Sequence, residues 1–419
     1  MRKQPSENKL VNFFKKLGPG LITGASDDDP SGIATYSQAG AQFGLATLWT
    51  ALLTFPLMAG VQGMCARIGL VTCQGLTVTL KKYYPRPVLY TMLLFSFPAI
   101  TLNLGADIQG MGAVCHMMVP AIPVSVFCVL ITALMMYVII QYPYQKIAMI
   151  LKWLCLSLLL YLVVPFMVKQ DWHAVLRHTF IPTIRYDKDF FSIIVALLGT
   201  TISPYLFFWQ TTMEAEDVAH STTGIVVNKR ILGDMKTDVN TGMLFSNIVM
   251  FFIILTTGSV LFPAGVTQID TVDQAAKALE PLAGKFAAVI FTMGVLGTGL
   301  LAIPVLAGSQ SYMLAETMGW PAGLDKKFAQ AKPFYISIIV SLIVGLSLDF
   351  LGVSPIKALL YTAIAYGLTA PVMIAMIMHI GNNKKIMKEF TNSKFSNILG
   401  ALTLILMTGA AVAMIWFLF

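Results

Sequence analysis

Three consecutive aspartates, Asp27-Asp28-Asp29, followed by Pro30-Ser31-Gly32, stand inside a run of otherwise apolar and small residues from Gly18 to Phe43. A second apolar run is interrupted in the same manner at Thr200-Thr201-Ile202-Ser203-Pro204-Tyr205. Proline removes a backbone donor and stops a helix, so carbonyls at the end of the preceding half-helix lose their partners. An aspartate beside them adds a fixed negative charge. Carbonyl and carboxylate oxygens are hard ligands, suited to Mg²⁺, Ca²⁺ or Mn²⁺. A substrate carboxylate would instead need half-helix N-termini free of acid, and three aspartates repel it. The chemistry available at Asp29 is therefore the binding of a divalent cation. Three adjacent carboxylates cannot all be ionised cheaply. At least one is expected to be protonated when no metal is bound, or to face an aqueous vestibule.

The elements that carry these breaks must be membrane helices. The 419-residue chain is 57% hydrophobic and 11% charged, with a mean hydropathy of +0.75. A soluble domain carries about 25% charged residues, so the composition excludes a soluble enzyme, a disordered chain and a disulfide-stapled module. A bilayer core of roughly 30 Å takes about 20 apolar residues per helix. Eleven long continuous runs meet that length, near 18–43, 45–69, 88–114, 121–141, 147–168, 190–215, 240–262, 284–312, 333–352, 356–379 and 397–419. They lack the ten-residue alternation of barrel strands. Acids at the bilayer centre cost several kcal/mol each, so the first run cannot be one unbroken helix. A plain proline kink would account for the second break, but a kink does not require aspartates. The two breaks, at 27–32 and 200–205, lie five spans apart. That spacing predicts an all-α, LeuT-type five-plus-five inverted repeat over 18–168 and 190–379, with an eleventh helix at 397–419 and the substrate site where the broken helices meet.

Orientation follows from lysine and arginine. With a cytoplasmic N-terminus, 21 of the 28 basic residues fall on inner segments and 7 on outer ones. The net charge of +8 is thus a topology signal, and no loop is long enough to form a nucleic-acid-binding domain. The expected location is the plasma (inner) membrane, N-terminus inside and C-terminus outside. The basic tail, residues 1–17, leads into Gly18-Pro19-Gly20 and does not read as a cleaved signal peptide. Five cysteines (Cys65, Cys73, Cys115, Cys128, Cys155) lie in or near spans without metal-ligand spacing and are expected to be buried and inert.

The stretch from Gly18-Pro19-Gly20 through Asp29-Pro30-Ser31-Gly32 to Gln38-Ala39-Gly40-Ala41-Gln42-Phe43-Gly44 resembles the first span of NRAMP divalent metal transporters, and Ala66-Arg67-Ile68-Gly69-Leu70-Val71-Thr72 is similar to the end of that family's second. The resemblance implies an alternating-access transporter of divalent cations whose site is reached from both breaks. Several positions depart from the family pattern. Asp-Pro-Gly-Asn becomes Asp29-Pro30-Ser31-Gly32, so the amide ligand is lost. Met-Pro-His becomes Ser203-Pro204-Tyr205, a second histidine corresponds to Gln210, and the glutamine before the tenth span's proline corresponds to Thr369. Asp107 keeps an acidic residue of the third span, whereas the glutamate expected three positions later is Gly110.

Loss of a thioether removes preference for Mn²⁺, Fe²⁺ or Cd²⁺ over hard ions, and the exchanges to Gly32 and Ser203 are expected to enlarge the cavity. Mg²⁺ retains water and is bound through one or two carboxylates. The sequence thus resembles the NRAMP-related magnesium transporters. The expected ligands are Asp29, carbonyls near Gly32 and Thr200, and the Ser203 hydroxyl, acting largely through water, with Asp107 facing the bundle interior. Without the family histidines, uptake is expected to be uncoupled from protons. The alternatives are a proton-coupled Mn²⁺/Fe²⁺ transporter, a sodium-coupled amino-acid symporter and a non-transporting sensor. An enzyme is not expected, because no nucleophile–base pair or cofactor motif is present. The expected partners are the metal substrate and the lipid bilayer, with a monomeric chain. Glu214, Glu216 and Asp217 read as a solvated helix end, and Gly294, Gly297 and Gly299 as small-residue packing.

Overall fold

A computed structural model describes residues 18–143, 146, 160–220, 227–348 and 352–417, and these are helical and loop segments without a strand. The long helices are α1 (Pro19–Asp27), α2 (Pro30–Phe43), α3 (Trp49–Thr72), α5 (Arg86–Met118), α6 (Val124–Gln141), α8 (Lys188–Thr201), α9 (Pro204–His220), α10 (Lys229–Val260), α11 (Ala287–Met318), α12 (Lys332–Ser347), α13 (Pro355–Asn382) and α14 (Lys394–Trp416). Among the described residues, eight helical segments are long and apolar enough to cross a membrane. The pair α1–α2 and the shorter α12 add two further apolar segments. The tail at 1–17 and most of the fifth predicted span, 147–168, lie outside the described residues. Two amphipathic loop helices, α4 (Leu76–Tyr83) and α7 (Trp172–Phe180), have no counterpart in the run-length reading, because they are too short to register as spans.

Both interruptions exist and are narrower than expected. Only Asp28 and Asp29 separate α1 from α2, and only Ile202 and Ser203 separate α8 from α9. Gly32 and Thr200 are therefore helical rather than unwound. A proline opens each second half, Pro30 for α2 and Pro204 for α9, where its missing N–H costs nothing. Asp29 caps α2, its Oδ1 accepting from the Gly32 N–H at 2.7 Å. Ser203 Oγ donates back to the carbonyls of Gly199 and Thr200, at 3.1 and 2.6 Å, which closes the end of α8.

The broken helices occupy the centre of the helical bundle. Nearly every residue of α2 is buried, whereas α6, α12 and α14 turn Leu130, Tyr137, Ile343, Val412 and Ile405 outward, as lipid-facing helices do. Each half-helix before a break meets a long helix backbone to backbone. A Cβ on Gly24 of α1 would stand 2.2 Å from the Gly242 carbonyl oxygen of α10, and one on Gly199 of α8 would stand 2.1 Å from the Ala363 carbonyl oxygen of α13. Small residues permit such approach where lipid supplies no hydrophobic drive. Gly299 packs similarly, its would-be Cβ 2.4 Å from Met111 Sδ of α5. Of the described cysteines, Cys65 and Cys128 are buried and Cys115 half-buried. Cys73, expected to be buried, is exposed, because it is the left-handed C-cap of α3 (φ 50°). Cys155 lies outside the described residues.

Gly24→Ala must push α1 off α10, since backbone cannot yield as a side chain can. A fall in the thermal unfolding midpoint equivalent to about 1–3 kcal/mol is expected. Gly409→Ala, with nothing within 4 Å of the added methyl, should leave the midpoint unchanged or slightly raised.

Candidate metal site

Asp27, Asp28 and Asp29 are 0%, 1% and 2% exposed, and Asp107 is 0% exposed. None of the four acids has a basic partner among its contacts, so hydrogen bonds and dipoles carry the cost of their burial. Both oxygens of Asp29 accept a hydrogen bond: Oδ1 caps α2, and Oδ2 accepts from Asn103 Nδ2 at 2.8 Å. Asn103 also reaches Asp107 Oδ2 at 3.4 Å, one turn along α5. Its Oδ1 accepts from Thr362 Oγ1 of α13 at 2.9 Å. Ser31 Oγ joins from α2, donating to the Leu359 carbonyl at 3.1 Å. One asparagine thus ties two helices, α5 and α13, to the first break.

Asp27 and Asp28 share a different partner. Ser246 Oγ of α10 lies 2.7 Å from Asp27 Oδ2 and 3.2 Å from Asp28 Oδ1. A hydroxyl carries one hydrogen and cannot satisfy two carboxylate anions at once, so a proton or a cation must complete the pair. Three carboxylate oxygens, Asp27 Oδ1, Asp28 Oδ2 and Asp107 Oδ1, are buried without a hydrogen-bond partner. Such atoms are rare in folded proteins and call for a ligand.

The second break meets the first through Tyr205, whose hydroxyl donates to the Ser26 carbonyl near the end of α1 at 2.9 Å. Tyr366 of α13 packs 5.8 Å from the Tyr205 ring, and Tyr36 of α2 stands over Gly32. The hydroxyls of Tyr36 and Tyr366 are buried without partners, close enough to feel the charge of the aspartates. The expected widening at Gly32 is not found: a Cβ there would already lie 3.4 Å from the Tyr36 hydroxyl. Tyr36 takes the space that the missing side chain leaves. Ser203, by contrast, spends its hydrogen on α8 and keeps its oxygen lone pairs. The Thr200 carbonyl accepts that hydrogen.

Both approaches to the aspartates are closed. On one side Asp238 of α10 accepts from the N–H groups of Gly18, Gly20 and Leu21, at 2.8, 2.7 and 3.1 Å, and so caps α1 from 218 residues away. Beside it, Thr23 donates to Gln210 Oε1 (2.6 Å) and Gln210 donates to Glu214 Oε1 (2.9 Å). Glu214 is 5% exposed, so the solvated helix end expected there begins only later, at Asp217. On the other side Gln38 accepts from the Ile269 N–H at 2.9 Å and donates to the Thr267 carbonyl at 3.2 Å, fastening α2 beneath the loop after α10.

Asn103, Ser246, Thr362, Tyr36, Tyr366 and Asp238 were not singled out from the sequence. Asn103 could have been found, since it lies four residues before Asp107 and so on the same helical face. Ser246 and Thr362 leave no such mark.

The profile of the natural resistance-associated macrophage protein-like (Nramp) family matches residues 20–417. The chain is 25% identical over 400 residues to the divalent metal cation transporter MntH of Caldanaerobacter subterraneus subsp. tengcongensis, covering 94% of this chain and 91% of that protein. It is 20% identical over 405 residues to MntH of Bacillus subtilis, covering 95% and 91%. In three dimensions it is similar to a crystal structure of the Eremococcus coleocola manganese transporter in complex with an aromatic bis-isothiourea compound. The TM-score is 0.77 at 15% identity, over 98% of this chain and 88% of that one.

Removing the asparagine should expose its role. Asn103→Ala leaves Asp29 Oδ2 without its partner, while Thr362 Oγ1 keeps the Leu359 carbonyl at 2.7 Å. It is expected to destabilise the metal-free protein by about 1–3 kcal/mol, read as a lower unfolding midpoint in detergent. The same variant should weaken divalent-cation binding in isothermal titration by about 10- to 100-fold.

Proposed function

This chain belongs to the Nramp family, and from that premise we propose that it is a divalent metal transporter whose cargo is Mg²⁺, taken up by alternating access without proton coupling. The observation that carries this reading is the donor set. Asp27 Oδ1, Asp28 Oδ2 and Asp107 Oδ1 are buried carboxylate oxygens without a hydrogen-bond partner. The Ser246 hydroxyl, the Asn103 amide N–H and the Gly32 backbone N–H only donate hydrogens to the aspartates, which leaves oxygen as the ligand atom. Ser203 stands where the resemblance leads one to expect a thioether. A site of hard oxygen ligands lacks the soft atom that would prefer Mn²⁺, Fe²⁺ or Cd²⁺ and so admits Mg²⁺, which keeps several waters while leaning on one or two carboxylates.

The ion would enter between the two breaks once one closure opens. Asp29 supplies fixed charge from the start of α2, held in place by its cap and by Asn103. Asp27, Asp28 and Asp107 offer their unpartnered oxygens. Ser203 and the Thr200 carbonyl take part from the second break through retained water, and Gly32 contributes by admitting Tyr36. Opening toward the basic-loop side requires α1 to leave Asp238 and the Gly24–Gly242 contact, while opening on the other side requires Gln38 to release the loop at 267–269. A divalent ion moving inward gains about 4.6 kcal/mol per 100 mV, which suffices to drive uptake. The described histidines with hydrogen bonds, His116, His178 and His379, make them to Ile122, Thr183 and Tyr84, away from the aspartates. The reading places the protein in the plasma membrane as a monomer, N-terminus inside, with no cofactor beyond its cargo.

A second reading, proton-coupled Mn²⁺ or Fe²⁺ transport, draws on Ser246, since the pair it bridges is completed by a proton as well as by a metal.

Proteoliposomes with an imposed membrane potential separate the two. Mg²⁺ influx reported by an internal indicator, with no acidification seen by a pH dye, is expected. Failure of Mg²⁺ to enter, or acidification that tracks metal entry, replaces this reading with the second. Asp29→Asn preserves the cap, because asparagine caps as well as aspartate. It should nonetheless lower influx more than tenfold, through loss of the charge and of the acceptor that holds Asn103 Nδ2. Ser203→Met should shift the ratio of Mn²⁺ to Mg²⁺ affinity toward Mn²⁺ by about tenfold, equivalent to ~1.4 kcal/mol, in a titration series run beside the parent.

A further inference from the structure

Away from the aspartates, a groove of 710 Å³ opens on the outside of the bundle between α3, α10 and α14. That volume is within the range of small-molecule sites. Its floor runs along α3 from Phe55 to Arg67, about 18 Å at the helical rise. This matches one leaflet's hydrocarbon of about 15 Å with a headgroup beyond it. The floor is apolar from Phe55 to Gly63 and faces Leu399 of α14, and no atom lies within 4 Å of a Cβ built on Gly63 or on Gly233 of α10. The far end carries Arg67, Lys229 and Lys236 against a single acid, Glu389. The Arg67 guanidinium donates to Asn392 Oδ1 at 3.1 Å and to Ser396 Oγ at 3.4 Å, both uncharged, so its charge has no carboxylate partner among the described residues.

We propose that this groove binds one anionic phospholipid of the leaflet on the basic-loop side, with an acyl chain along Phe55 to Gly63 and the phosphate at Arg67, Lys229 and Lys236. The charge selects the occupant. The basic tail at 1–17 and a second copy's equivalent surface would both bring like charge to a basic end. A zwitterionic lipid would fill the apolar wall without answering the excess cations. Juxtamembrane basic residues attract anionic lipid by about 1 kcal/mol each. The groove touches both α10, which holds α1 through Asp238, and α14, so an occupant braces helices next to the moving half-helix.

Native mass spectrometry of the purified full chain, supplied with equal phosphatidylglycerol and phosphatidylcholine, tests this. Retention of phosphatidylglycerol at roughly one per protein is expected. Lys236→Gln, at an exposed position that bears no hydrogen bond in the fold, should weaken it about fivefold, the equivalent of one such charge. Gly63→Leu fills the apolar wall, and should expel the lipid with every charge intact. Arg67→Gln should act like Lys236→Gln, but it also breaks the links to Asn392 and Ser396, so the other two variants carry the decision. Equal retention of the two lipids overturns the proposal, as does retention unchanged by both Lys236→Gln and Gly63→Leu. Displacement of the lipid by millimolar inorganic phosphate would show a free-anion site instead, and also overturns it.

Discussion

Four carboxyl groups buried in a membrane protein with no cation beside them set the terms for the rest of this structure. Each would cost several kcal/mol if left to hydrocarbon, and the chain disposes of that cost without a lysine or arginine. The positive end of α2 receives Asp29, Asn103 bridges Asp29 to Asp107, and Ser246 is divided between Asp27 and Asp28. The accounting stops short of completion, because three oxygens remain unpartnered. A fully satisfied network would have been a structural core. This one is left incomplete, which supports the metal-binding reading proposed above.

The helix breaks and the acids depend on each other. Without Asp29, α2 would start uncapped at a proline, and without the break the acids would project from a continuous helix into neighbouring apolar surface. The same economy operates at the start of α1, where Gly18 supplies no side chain and Asp238 of α10 serves as a distant cap. A local cap would leave α1 held by packing alone. A remote one makes the orientation of α1 conditional on a bond to α10, and that bond can be exchanged for water. Capping bonds are worth about 1 kcal/mol each, so that exchange is a small one.

Asp29 also shows how one residue carries roles that a sequence alone does not separate. An aspartate before Pro-Ser-Gly inside an apolar run can be a metal ligand or an N-cap, and both readings begin from the same residues. The structure makes it a cap whose two oxygens each accept a hydrogen bond, while Asp27 Oδ1, Asp28 Oδ2 and Asp107 Oδ1 have no such partner. The exchange to Gly32 likewise looked like added space. Tyr36, four residues on and therefore on the same face of α2, occupies it instead.

The sequence by itself determined the all-helical membrane class, the two interruptions, the burial of acid at the first and the family, because run length, proline and uncompensated aspartate are local and each has one inexpensive structural outcome in lipid. The narrowness of the breaks was less legible, since capping geometry lets a helix resume within two residues of stopping. Tertiary structure alone decided the partners. Asn103, Ser246, Thr362 and Asp238 lie between 74 and 331 residues from the groups they engage or adjoin, and apart from the spacing of Asn103 to Asp107 nothing in their own neighbourhoods distinguishes them from other polar residues on membrane helices. Their roles come from which helix faces are brought together, and that is settled by backbone-to-backbone contacts such as Gly24 on Gly242, where the absence of a side chain, not its presence, carries the information.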